Sequence, residues 1–204
     1  MATPLGILTF QKAIRGGVRP NLFAVSHAFP GGLTTPSIPG VEPGSEVTYM
    51  CKSAALPATN VGTVELPFRG RVIKVPGDRT YETWTATFYM DDAFELRAAY
   101  EKWISLTNGV DANIASADIV NTWQDITISQ LDKFGGATGA ADSQLTTIRE
   151  YKLVQAFPVS VSQVSVAYDN NDSFEEFDVE FAYQYHESTG GSNETSRAKD
   201  DPTS

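Results

Sequence analysis

The sequence predicts a mainly β domain with one flanking helix. Three observations carry that expectation. Residues 81–90 and 173–187 alternate apolar and polar side chains with the period of two that a half-buried strand requires. Turn-forming Pro, Gly, Asn and Asp clusters cut the rest of the chain into short extended pieces. One stretch alone, 91–106, places apolar residues at helical spacing. The expected count is about seven or eight strands and one helix in a single domain.

The elements follow in order. "RPNLFAVSHAF" (19–29) reads as a strand entered through proline, and 30–45, rich in Pro, Gly, Ser and Thr, as a long loop. "EVTYMCKS" (46–53) reads as a short strand. "VGTVELPFRGRVIKV" (61–75) reads as extended, with Pro67 and Gly70 marking a bend or bulge. In "KVPGDRTYETW" (74–84) a Pro-Gly-Asp turn beside Arg79 reads as a charged elbow between two strands. Within 81–90, Glu82, Trp84, Ala86, Phe88 and Met90 share one face, and Tyr81, Thr83, Thr85, Thr87 and Tyr89 the other.

Helix 91–106 is expected to start on an Asp92/Glu95 capping box and to stop at a left-handed Asn108-Gly109. Its stripe of Leu96, Ala99, Tyr100 and Trp103 reads as a face docked on a sheet. Residues 122–134 and 145–161 form an expected hairpin around a flexible tip at 135–144. Residues 162–170 and 173–187 form an expected last hairpin, with Asp169–Asp172 as its turn. The polar stretch 188–204 has almost nothing to bury and is expected to be a disordered tail.

Composition narrows the function. The 204 residues are 41% hydrophobic and carry a net charge of −10. Such an acidic balance opposes coating a nucleic acid, yet it suits a surface past which DNA must slide. No apolar run reaches the roughly 18 residues of a membrane span. The N-terminus lacks the pattern of a signal peptide, so synthesis and retention in a cytosol are expected. The single cysteine, Cys51, forms no internal disulfide and reads as a small buried hydrophobe.

The sequence carries no recognisable catalytic motif. His27 and His186 have no neighbouring nucleophile motif. "GGATGA" has the wrong glycine spacing for a phosphate loop. Asp169, Asn171, Ser173 and Glu180 imitate calcium-loop spacing, but Phe174 occupies the position that requires glycine. No cofactor is expected. The last strand is more informative. Phe177, Val179, Phe181, Tyr183 and Tyr185 point one way, while Glu176, Asp178 and Glu180 point the other.

"RPNLF" (19–23), "CKSAALPA" (51–58), "KVPGDRTYETWTATF" (74–88) and "PVSVSQVSVAYDNNDSFEEFDVEFAYQYHE" (158–187) stand in an order that resembles the tail tube proteins of contractile-tailed bacteriophages. The resemblance implies two packed antiparallel sheets, a β-sandwich or barrel-like fold, with one flanking helix. It implies hexameric rings sharing an inner β-barrel and stacked into a hollow tube. A contractile sheath protein would surround the tube. A tape measure protein would fill it before DNA passes, and baseplate and tail-terminator proteins would close its ends. The location implied is the virion, after assembly in the host cytoplasm.

On that basis 1–187 is the tube domain and 188–204 the tail. Glu176, Asp178 and Glu180 are expected to line the lumen, with Arg19, Asp78 and Arg79 as assembly contacts. Trp84, Leu96, Tyr100, Trp103, Phe177 and Phe181 are expected to anchor the core. Three departures from the family pattern stand out: the long 30–45 loop, a poor match over 110–145, and the extension beyond Glu187. The alternatives are the tube of an injection or type VI secretion system, and a carbohydrate-binding β-sandwich. Aromatics in core positions speak against the second.

Overall fold

A computed structural model describes residues 6–14, 17–31, 33, 46–109, 119–132, 147–169 and 173–189. Its elements are α1 (Ile7–Ile14), β1 (Phe23–His27), α2 (Glu46–Met50), β2 (Cys51–Ala54), β3 (Asn60–Phe68), β4 (Arg71–Thr80), β5 (Trp84–Tyr89), α3 (Glu95–Thr107), β6 (Gln124–Leu131), β7 (Thr147–Val161), β8 (Glu176–Ala182) and β9 (Tyr185–Thr189). A 3-10 turn, Ile119–Thr122, precedes β6.

Seven strands form two antiparallel layers that share β7. The first half of β7 pairs with β6 and β9, and β6 carries β1. The second half pairs with β8, followed by β5 and then β2. The strand changes layer at Gln155, whose φ of 54° is left-handed. Its amide donates to Asp125 Oδ1 at 3.0 Å, replacing the ladder bond lost at the corner. The layers enclose one core. Val25, Ile126, Ile128 and Leu153 come from the first, and Trp84, Phe88, Phe177, Val179 and Phe181 from the second.

Helix α3 closes this core through Leu96, Ala99, Tyr100 and Trp103, all buried. The Trp103 indole donates to the Thr122 carbonyl at 2.7 Å, tying the helix to the 3-10 turn. The helix begins four residues later than expected. Asp91, not Asp92, supplies the cap: its carboxylate accepts from the amides of Glu95 and Leu96. Phe94 at the helix boundary is left-handed (φ 57°), so the chain enters at an angle that an Asp92/Glu95 box does not fit. Asn108 is extended (φ −145°) rather than left-handed, and its amide still bonds Ile104 O.

Other expectations are corrected too. Residues 46–50 are helical, because Val47 and Met50, three apart, both reach the core and Thr48 Oγ1 donates to Val25 O. Only 51–54 is strand. The stretch 61–75 is not one bent strand but the tip of a hairpin. Arg69 (φ 46°) and Gly70 (φ 79°) both lie in the left-handed region, the geometry whose twist suits a two-residue hairpin loop. Pro76, Gly77 and Asp78 do not form an elbow between strands. They lie within β4, opposite a register shift between Val61 and Thr63. A Cβ at Gly77 would sit 3.2 Å from the Gly62 carbonyl carbon and oxygen, so the two glycines let the backbones close at this bulge.

The last hairpin pairs differently as well. Residues 162–167 are not strand, and β8 pairs instead with Phe157–Val161 of β7 and with β5. The chain leaves β8 at Tyr183–Gln184, so Tyr185 opens β9 and is 42% exposed. Ser188 and Thr189 pair with Tyr151 and Glu150, so the first two residues of the expected tail belong to the fold. The hairpin of β6 and β7 matches the expectation. Helix α1 was not anticipated, and nine strands stand among the described residues. The loop tip 135–144, most of 30–45, part of the Asp169–Asp172 turn and residues 190–204 lie outside them.

Candidate assembly surfaces

Sheet pairing places the three acids in a row on the outer face of the second layer. Glu176, Asp178 and Glu180 stand opposite Tyr89, Thr87 and Thr85 of β5. Phe177, Val179 and Phe181 alternate with them and are at most 1% exposed. Each acid has a partner. Lys52 of β2 contacts Glu176 at 2.6 Å, Thr87 Oγ1 donates to Asp178 Oδ1 at 2.7 Å, and Thr83 Oγ1 donates to Glu180. The hydrogen bond to Glu176 raises the Lys52 pKa. The result is an ordered acidic strip with one cation at its end, Asp178 exposed and Glu176 and Glu180 half-buried.

The assembly candidates lie elsewhere. Asp78 and Arg79 are exposed at the base of the β3–β4 hairpin, and no ion pair joins them among the described residues. As neighbours in a strand they point to opposite faces. His186 is partly desolvated and feels the Arg79 charge, and both lower its pKa. Its Nε2 lies 3.1 Å from Thr59 Oγ1, and its ring meets Tyr81 edge-on at 5.5 Å. Tyr183 packs on both rings, which pins the hairpin base to β9. Arg19 is exposed just before β1, and its carbonyl accepts from the Gln130 side chain at 2.9 Å.

Sequence reasoning missed the hairpin itself as a feature. Val64, Leu66, Phe68, Ile73 and Val75 are 40–59% exposed on it. Val64 pairs with Val75 and Leu66 with Ile73, so they form a single apolar face. The available signal was Gly70 following Arg69 between two alternating runs.

The buried polar groups are structural. His27 Nδ1 donates to the Ala28 carbonyl at 3.0 Å, which leaves Nε2 to accept the Tyr100 hydroxyl at 2.8 Å. Burial lowers the His27 pKa to about 4. Burial also pushes the Cys51 thiol up to about 12, away from nucleophilic use. Among the described residues no group of three His, Cys, Asp or Glu could hold a metal ion, and no helix is long and apolar enough to cross a membrane.

Known proteins resemble this chain in sequence and fold. The family model described as Phage tail tube protein matches residues 18–189. The tail tube protein gp19 of Enterobacteria phage T4 is 28% identical over 169 residues, covering 83% of this chain and 90% of that protein. The tail tube protein of Serratia phage KSP90 is 24% identical, covering 82% and 87%. Among solved structures, a chain in the sheath–tube complex of an extracellular contractile injection system is similar, with TM-score 0.57 and 17% identity over 90% of this chain and 98% of that one. A chain in the anti-feeding prophage baseplate gives TM-score 0.56 and 12% identity over 93% and 98%. With residues 18–189 matched by the family model, the chain belongs to the phage tail tube protein family, whose members are structural tube subunits.

Proposed function

We propose that copies of this chain close into hexameric rings through the edges of the second layer, and that the rings stack into the DNA conduit of a contractile tail. The observation that carries this reading is the pair of open edges. Among the described residues, β2 pairs only with β5, and Phe157–Val161 of β7 pairs only with β8. Exposed edges invite uncontrolled pairing, and a ring that joins β2 of one copy to β7 of the next removes both. The closed barrel then has the outer face of β8 and β5 as its lining.

Glu176, Asp178 and Glu180 thereby face the channel. Six-fold repetition surrounds the bore with carboxylates, and the protein wall focuses their field inward. Phosphates meet repulsion, so a duplex slides without the counterion release that would hold it. The Thr83 and Thr87 hydroxyls hold Glu180 and Asp178 without neutralising them, and Lys52 offsets one of the three charges at the end of the strip. Arg19, Asp78 and Arg79 stand ready for contacts between copies. A sheath protein would surround the tube and a tape measure protein would fill it. Baseplate and terminator proteins would close its ends, after assembly in the host cytoplasm. The carbohydrate-binding alternative lapses with the family match.

Negative-stain microscopy of the purified protein tests this, with tape measure and sheath proteins supplied. Rings or tubes are expected. A chain that stays monomeric at high concentration refutes the proposal.

A further inference from the structure

We infer that α1 is a docking helix whose apolar stripe seats in the cleft between residues 163–167 and 173–176 of a second copy of this chain. The second copy is a neighbour in the tube, so the inference rests on the tube reading.

Helix α1 precedes residues 18–189, the part of the chain shared with the family. Ile7, Phe10 and Ile14 fall at i, i+3 and i+7 and make one apolar stripe, with Lys12 on the far side. They are 73%, 63% and 51% exposed, and no residue of α1 joins the core or packs against it. Gly17, left-handed at φ 65°, ends the helix by donating its amide to Ile14 O at 2.8 Å. An isolated helix is marginal in water below about 12–15 residues, and α1 has eight. The stripe therefore needs a surface to cover it.

The cleft supplies one. It has a volume of about 260 Å³ and is lined by Val164, Val166, Ala167, Phe174 and Glu175 among others. Val166 is 77% and Phe174 84% exposed. The volume is small for a drug-sized ligand but admits an inserted ring such as that of Phe10. Charge is complementary as well. Residues 1–41 contain no Asp or Glu and carry Lys12, Arg15 and Arg19, whereas residues 153–196 contain no Lys or Arg. Glu175 lines the cleft, and Asp169 follows its first wall by two residues. Lys52 already holds Glu176, so Glu175 and Asp169 are the acids left to meet a basic helix. Opposite charges around an apolar seat fix which way the helix lies.

Topology directs the helix to another copy. The Leu22 carbonyl accepts the Leu131 amide at 2.9 Å, and the Arg19 carbonyl accepts the Gln130 side chain at 2.9 Å. These bonds root the segment at the end of β6 where Gln130 pairs with Arg149 of β7. Only residues 15–18 join α1 to that root, a reach of at most about 14 Å. The cleft opens just past Val161, at the other end of β7. Helix and cleft thus hang from opposite ends of one long strand. An anionic membrane is the other surface that suits a basic amphipathic helix. The acidic rim of the cleft, on the same chain, selects the protein surface instead.

The test uses the full chain in a Cys51→Ala background. Phe10→Cys and Phe174→Cys proteins are mixed, assembled and treated with a short bismaleimide. A heterodimer joining the two variants is expected. Adding Ile7→Glu and Ile14→Glu to the Phe10→Cys protein should cut its yield at least about tenfold, because two carboxylates would have to enter an apolar seat. Both residues lie outside the core, so the urea midpoint should stay at the wild-type value. A lowered midpoint in dilute protein, or an internal link in a dilute chain bearing both cysteines, shows that α1 packs on its own copy and overturns the inference. Phosphatidylserine vesicles that bind wild type but not the Ile7→Glu/Ile14→Glu protein, with no heterodimer formed, overturn it in favour of a membrane. Tubes without the heterodimer overturn the docking and leave the tube reading standing. Wild-type protein that forms neither rings nor tubes overturns the tube reading itself.

Discussion

Trp103→Ala should be among the most damaging single changes in this protein. The indole is fully buried and packs against His27, Phe29, Tyr100 and Phe181. Truncating such a ring costs about 3–5 kcal/mol from lost transfer energy and the cavity left behind. The Thr122 carbonyl also loses the indole N–H, which adds about 1 kcal/mol or more if it stays dry. A loss of about 4–6 kcal/mol compares with the whole stability of many domains, about 5–15 kcal/mol. With a urea slope near 2 kcal/mol/M, the midpoint should fall by about 2–3 M. The assay is urea unfolding followed by circular dichroism, at a concentration too low for assembly. Trp103→Phe helps separate the two effects, because it keeps a six-membered ring but loses the N–H donor and only part of the buried volume. It should cost about 1–3 kcal/mol. A wild-type midpoint in Trp103→Ala refutes the packing argument. Equal losses in both variants refute the division between ring and hydrogen bond.

Four further outcomes are expected. Burial lowers the folded-state pKa of His27 from 6.5 to about 4, so between those values the unfolded chain binds the extra proton and stability rises with pH. His27 therefore contributes fully above about pH 6.5 and loses roughly 3 kcal/mol by pH 4; denaturant midpoints of wild type and His27→Gln should converge on acidification, and parallel curves refute it. Gln155→Gly removes an exposed side chain from a left-handed position and should raise stability by up to about 1 kcal/mol in the same assay, whereas a destabilised variant shows the corner is not strained. Replacing Glu176, Asp178 and Glu180 together by lysine should leave rings intact and slow DNA ejection, most at low salt; unchanged ejection places the strip off the channel. A chain ending at Thr189 should keep the wild-type midpoint, while one ending at Glu187 loses the Ser188 and Thr189 pairs and the Arg149–Ser188 bond. Equal midpoints for the two would show that these pairs contribute nothing.

Local periodicity carried the sequence reading wherever one side of an element is buried. The inward alternation of Trp84, Ala86 and Phe88, and of Phe177, Val179 and Phe181, was legible because a one-residue slip would expose every one of them. The α3 stripe was legible for the same reason. Its cap was not. Asp91 and Asp92 are equivalent as letters, and only the left-handed Phe94 decides which carboxylate reaches the amides. The β3–β4 arm escaped because both its faces lie outside the core, so no burial disciplines its pattern. Its two strands read as one extended, bent segment, although the Arg69–Gly70 reversal divides them.

By itself the sequence determined the β class, the core-facing residues of β5, α3 and β8, the acidic strip and the family resemblance. Each of these depends on side-chain order within one short segment. Tertiary structure alone decided that β7 serves two layers and that β8 pairs with β5 and β7. It also decided that Lys52, Thr83 and Thr87 hold the acids from other strands. These relations join residues up to 124 positions apart, as Lys52 and Glu176 are. No local preference encodes them, because they arise from which strand edges meet when the core closes.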